Sequence, residues 1–146
     1  MKKLIITLFV LITSFTANAK EYNGNEVKDC SQNAIVMFCD LEGEPITGVV
    51  KSYSENGNLE AEKNYKDGKL EGLSKAYYEN GNLKGEVNFK DDKPEGLFKV
   101  YYENGNLGVE INFKDGKAVS GYMYDIDGEK KEMTNAHLHN MTKNLK

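Results

Sequence analysis

The chain has 146 residues and a formal net charge of −4, from 19 lysines against 23 acidic residues, with no arginine and no tryptophan. An acidic chain without arginine lacks the bidentate donors that read phosphate and guanine, which argues against a nucleic-acid partner. Once an apolar leader is set aside, hydrophobic residues fall to roughly 35% of the chain, too few for a thick two-layer core.

Met1-Lys2-Lys3 gives a positive start, Leu4 to Phe15 is apolar apart from threonine and serine, and Ala17-Asn18-Ala19 is a small-x-small cleavage site. This pattern predicts a signal peptide over residues 1–19, cut after Ala19, and a secreted or periplasmic mature chain beginning at Lys20. Without Lys2 and Lys3 the mature chain has 17 lysines against 23 acidic residues, a net charge of −6. The apolar run is shorter than the ~20 residues that span a bilayer. No other stretch approaches that length, so no transmembrane segment is expected in the mature chain. Cys30 follows Glu26-Val27-Lys28-Asp29 rather than the small apolar residues of a lipoprotein.

Residues 20–47 are expected to cap the N-terminal end. Cys30 and Cys39 flank Asn33-Ala34-Ile35-Val36-Met37-Phe38, a strand-like run. In an oxidising compartment two cysteines so spaced are most simply a disulfide. Closing so short a loop stabilises by roughly 2–3 kcal/mol in the chain-entropy picture. A redox pair would more usually be Cys-x-x-Cys, and a metal site would need further ligands. Gly43-Glu44-Pro45-Ile46-Thr47-Gly48 reads as a partial repeat before the main array.

Residues 48–130 are that array, with a stride of 24 residues. Tyr53 to Leu59, Tyr77 to Leu83 and Tyr101 to Leu107 coincide, each containing Glu-Asn-Gly-Asn-Leu. Lys51, Lys75 and Lys99 also coincide, as do Glu62, Glu86 and Glu110. A shortened copy runs from Gly121 to Gly128. Asn-Gly recurs at 56–57, 80–81 and 104–105, which predicts two-residue type I′ hairpins. Asp-Gly at 67–68 and 115–116, with Asp91-Asp92 between them, marks the opposite turns. Each repeat is therefore two antiparallel strands, and the array is a meander of six to eight.

A two-residue loop at Asn80-Gly81 places Tyr78 opposite Leu83, Ala76 opposite Gly85, Ser74 opposite Val87 and Gly72 opposite Phe89. Lys75 then faces Glu86, as Lys51 faces Glu62 and Lys99 faces Glu110, the opposite-charge pairs that a correct register should give. Asp67-Gly68, treated likewise, pairs Tyr65 with Leu70. One face is expected to be apolar, carrying Leu59, Ala61, Tyr65, Leu70, Tyr78, Leu83, Val87, Phe89, Phe98, Val100, Tyr102, Leu107, Val109, Ile111 and Phe113. The other carries the Lys–Glu pairs, an asparagine column and a column of Tyr53, Tyr77 and Tyr101. A single sheet cannot leave so wide an apolar face in water. The disulfide segment, a partner, or a second copy through self-association can cover it. So can residues 131–146, a tail or capping helix in which Leu138, Met141 and Leu145 fall at helical spacing.

These repeats resemble the MORN family, and more closely its bacterial variant form found in YwqK-type antitoxin proteins. The residues that carry the resemblance are Gly72, Tyr77, Tyr78, Asn80, Gly81, Leu83 and Phe89 with their equivalents in neighbouring repeats. It covers about residues 43–130. It implies an elongated single-layer antiparallel β-meander that acts as a scaffold for protein or lipid and brings no catalytic residues.

Chemistry outside that pattern is thin. His137 and His139 lack a third metal ligand, and Asp125-Ile126-Asp127-Gly128-Glu129 lacks the spacing of a calcium loop. The repeated glutamates already have lysines across the strand. No enzyme activity, cofactor or metal is expected. The column of Tyr53, Tyr77 and Tyr101, with equivalents roughly 10 Å apart, either stacks on a glycan or an extended peptide or only shields the sheet. The expected role is an exported, non-catalytic scaffold for a macromolecular partner (protein, glycan or lipid surface) at the envelope, outside the cell or on a host surface. The alternative is an antitoxin or immunity protein against a co-exported toxin.

Overall fold

A computed structural model of the chain describes residues 20–31 and 37–144. The expected leader and its cleavage site, residues 33–36 of the run between the cysteines, and Leu145 lie outside the described residues. The array comprises β4 (Gly48–Tyr53), β5 (Leu59–Lys66), β6 (Lys69–Leu70), β7 (Gly72–Tyr77), β8 (Leu83–Lys90), β9 (Lys93–Tyr101), β10 (Leu107–Lys114) and β11 (Lys117–Tyr124). Consecutive strands pair antiparallel, β6 and β7 being two pieces of one strand that both pair with β5. β12 (Lys130–Glu132) closes on β11.

One pairing departs from the antiparallel meander. β1 (Lys20–Asn23) runs parallel to β4, with Lys20 beside Gly48 and Asn23 beside Lys51. The chain between them is a crossover containing β2 (Lys28–Asp29) and β3 (Phe38–Cys39), themselves paired antiparallel. A crossover of this length, unlike a tight hairpin, lets the returning strand run parallel. Gly48 permits the approach, since a Cβ there would sit 1.9 Å from the Lys20 carbonyl oxygen.

The turn chemistry corrects the expected hairpins. At Asn80-Gly81 the Gly81 N–H donates to the Tyr78 carbonyl at 2.9 Å and the Tyr78 N–H to the Asn82 carbonyl at 2.9 Å. Only Gly81, at φ +83°, is left-handed there, so this is a three-residue loop and not a type I′ turn. The same two bonds close the loops at 40–44, 54–58, 102–106 and 125–129. The longer loop puts Tyr77, not Tyr78, opposite Leu83, and a bulge on the next strand then restores Ala76 to Gly85. Two one-residue errors cancel, so Ser74–Val87, Lys75–Glu86 and Gly72–Phe89 pair as the sequence predicts. The type I′ geometry belongs to the opposite turns. Asp67 and Gly68 have φ of +50° and +77°, Asp91 and Asp92 of +47° and +62°.

Both rows of turns are tied to their neighbours one repeat away. The Asp91 N–H donates to Glu71 at 2.9 Å and the Asp115 N–H to Glu95 at 2.8 Å, as Asp67 does to the Thr47 hydroxyl. On the other side the Asn82 side-chain amide donates to the Glu103 carbonyl at 2.7 Å. Tyr78 and Tyr102 hydroxyls donate to the carbonyls of Tyr101 and Tyr124. Each repeat thus completes the hydrogen bonding of the previous one, as in other stacked-repeat folds.

The core is split. Tyr22, Ile46, Val50 and Tyr65 form one buried cluster with Val27, Phe38 and Leu70 packed around it. Ile111, Phe113, Met133 and Leu138 form the other, joined by Phe98, Val109, Met123 and Met141. The second is roofed by α1 (Asn135–Asn144), for which the sequence left a tail or helix open. Thr134 precedes the helix, its carbonyl accepting the Leu138 N–H at 3.1 Å and its hydroxyl the His137 N–H at 3.4 Å. A bond between Cys30 and Cys39 ties the N-terminal segment together.

Candidate binding surfaces on the two faces of the sheet

Strand alternation sends Lys51, Glu62, Lys75, Glu86, Lys99 and Glu110 to one face, and five successive pairings bring them side by side across six strands. All three expected Lys–Glu register pairs are present. Ion contacts close selectively along the row. Lys51 reaches Glu21 at 2.8 Å and Glu62 at 3.9 Å, while Lys99 turns to Glu86 at 3.9 Å instead of Glu110. Each central lysine lies between two carboxylates, so the choice costs little.

The tyrosine column joins this ladder. Tyr77 donates its hydroxyl to Glu62 at 2.8 Å and Tyr101 to Glu86 at 3.0 Å, each reaching fifteen residues back. Burial, with the Glu62 hydrogen bond and charge, pushes the Tyr77 phenol up to about 12. Burial and then Glu86 raise that of Tyr101 in the same way. Fifteen residues before Tyr53 stands Phe38, whose side chain offers no acceptor, and Tyr53 remains 44% exposed. The three rings are therefore unequal: two have their polar tips engaged within the sheet.

The opposite face is apolar, and both core clusters lie on it. One row shows this directly. Tyr22 pairs with Val50 and Val50 with Lys63; further on, Ser74 pairs with Val87, Val87 with Phe98, Phe98 with Ile111 and Ile111 with Gly121. The N-terminal segment covers the beginning of this face and α1 the end. Between the covers a groove of about 310 Å³ is lined by Ala61, Ser74, Ala76, Val87, Phe89 and Val100 among others. At its rim Lys84 holds its ammonium 5.6 Å from the Tyr78 ring, while Lys63 makes no ion pair among the described residues.

Lys63 was not singled out from the sequence, and Ser74 entered only as the register partner of Val87. Their signal was available in the repeat alignment. Lys63 stands where the next two repeats have Val87 and Ile111, and Ser74 where its neighbours have Val50 and Phe98.

The remaining candidates sit apart. His137 and His139 are exposed on α1. The Asp125 carboxylate accepts the N–H groups of Asp127 and Glu129 at 3.1 and 2.8 Å, so it shapes the last loop. Among the described residues no three His, Cys, Asp or Glu side chains converge as a metal site, and no helix is long and apolar enough to cross a membrane.

Residues 46–67, 70–91 and 94–115 each match the MORN repeat variant family. The matched segments follow the structural stride: each begins in or within two residues of a strand that leads into a repeat and ends on the first aspartate of the next turn. Three segments of the chain thus match MORN-variant repeats, and they lie in one sheet of successive hairpins. No curated protein matches the chain.

Proposed function

We propose that the protein is an exported, non-catalytic repeat scaffold that binds a macromolecular partner, a protein or an envelope or host surface component. The partner would dock on the apolar face between the two end covers. The observation that carries this reading is the uncovered groove over β7–β9, where Ala76, Val87, Phe89 and Val100 remain half-buried while both ends of the same face are roofed. A soluble chain gains nothing by leaving such a strip in water, and strips of this kind mark interaction sites. Support for export comes from the leader-like first nineteen residues and from the disulfide, which an oxidising compartment preserves. A co-exported toxin, the antitoxin alternative, is one protein that such a surface could hold.

The test passes envelope and culture extracts over the immobilised protein and over Val100→Glu, with thermal melts confirming that both are folded. One component held by the wild type and released by the variant supports the reading. Equal retention by both proteins, or none by either, overturns it. Cell fractionation with intact mass under non-reducing conditions tests the address and the cleavage after Ala19 together.

A further inference from the structure

The groove contains one departure from the rule that builds the rest of its face. In the row that crosses the sheet from Tyr22 to Gly121, the only side chains that are neither aliphatic nor aromatic are Lys63 and Ser74. Ala61 pairs with Ala76 and Glu62 with Lys75, so the next step of that register sets Lys63 beside Ser74. Both line the same groove. Ser74 is 7% exposed and its hydroxyl finds no hydrogen-bond partner. A buried hydroxyl without a partner is destabilising, and native structures contain few. Valine or phenylalanine fills the same position in neighbouring repeats, so nothing in the repeat geometry demands a serine.

We infer that the groove binds a single-chain amphiphile with an anionic head, namely an alkyl carboxylate of medium length. Register sets the two residues at neighbouring positions on this face, and a serine hydroxyl and a lysine ammonium both donate, so the group they recognise accepts, and a carboxylate accepts from both. Lys84 at the other part of the rim is held over Tyr78, which leaves the head at Lys63. From there the apolar floor runs across β7 and β8 to Phe98 and Val100. From β5 to β9 the span is roughly 14 Å, which an extended alkyl chain of about ten to twelve carbons fills. A helix laid in the groove would bring a saturated backbone and would reach Ser74 only through a side chain. This occupant goes beyond the scaffold reading, since it places a small ligand in the groove where that reading docks a macromolecule.

The test titrates the purified protein with dodecanoate at pH 8, below its micelle concentration, alongside dodecanol and dodecyltrimethylammonium, with backbone and methyl NMR shifts as the readout. Expected is saturable one-to-one binding of dodecanoate, with shifts confined to Ala61, Ser74, Val87 and their neighbours. The alcohol and the cation should bind about tenfold more weakly or worse, because they forgo the charge-assisted bonds. Lys63→Met should remove most of that preference while leaving dodecanol binding unchanged. Ser74→Ala should reduce it severalfold, and gives a second measurement if the lysine variant is poorly folded. Absence of saturable binding, equal binding of the three probes, or indifference to both variants overturns the inference. A protein partner retained through Val100 without any carboxylate selectivity would preserve the scaffold reading and sink this one.

Discussion

At its N-terminal end the apolar face is covered by short extended pieces of chain, and at its C-terminal end by one helix. The N-terminal cover consists of β3 and Ile46, stitched by Phe38 N–H to Gly68 carbonyl at 2.8 Å, Ile46 N–H to Phe38 carbonyl at 3.1 Å and Gly68 N–H to Ile46 carbonyl at 2.8 Å. Little of it could hold its shape alone, and the Cys30–Cys39 bond limits what it can unfold into. The C-terminal cover satisfies its own backbone and needs only to seat Leu138 and Met141 on Ile111 and Phe113. The contrast teaches that capping a repeat sheet requires buried area plus a way to hold the covering chain. The two termini obtain the second part from covalent and helical order respectively.

The largest way to break the contrast lies at the helical end. Phe113→Ala empties the floor under α1 and should cost about 3–5 kcal/mol. Denaturant melts would measure this, with loss of the helical circular-dichroism signal ahead of the sheet signal. Reduction of the disulfide, or Cys30→Ser with Cys39→Ser, should cost about 2–3 kcal/mol. Hydrogen exchange should then quicken at Ile46 and Gly68 and leave α1 as it was. Simultaneous loosening of both ends would show that the covers are one cooperative unit.

Alkaline titration sharpens the same comparison. Tyr65 belongs to the N-terminal cluster, and burial with the Asp92 charge pushes its phenol up to about 12. The buried members of the C-terminal cluster include no tyrosine. A phenol raised above its ordinary 10 stabilises fully below pH 10, and that contribution is lost as pH rises towards 12, because the unfolded chain gives up its proton first. The N-terminal end should therefore loosen before the C-terminal end between pH 10 and 12, with phenolate absorbance and hydrogen exchange as the paired readouts.

The smallest effect separates the tyrosines of the polar face. Tyr77→Phe removes the bond to Glu62 and should cost about 1 kcal/mol, whereas Tyr53→Phe should be neutral within about 0.5 kcal/mol. Equal costs from thermal melts would mean that Tyr53 has a partner role like the others.

Much of the fold was legible because its information is local and repeated. Alternation placed Val87 and Lys75 on opposite faces, and the Lys–Glu matches set the register without reference to turn type. The turn type itself was misread: an Asn-Gly dipeptide fits both a two-residue loop and a three-residue loop compensated by a bulge, and the arms beyond the bulge pair identically. β1 escaped because its parallel partner lies across a crossover. Of the candidate residues, Cys30 and Cys39 came together as expected. Tyr77 and Tyr101 proved to be tied to glutamates fifteen residues back, a pairing that strand alternation alone does not reveal. Lys63 and Ser74 were visible only as breaks in the repeat pattern, and such breaks gain meaning once the row is assembled.

Stride, sidedness and the pairing of strands within the repeat array were thus determined by the sequence alone, since each depends on residues within one repeat of each other. Which stretch of the apolar face stays open was decided by tertiary structure. That outcome depends on where β3, Ile46 and α1 come to rest, and chain segments far apart in sequence must meet before any of the face is dry. The groove is what their combined lengths leave uncovered.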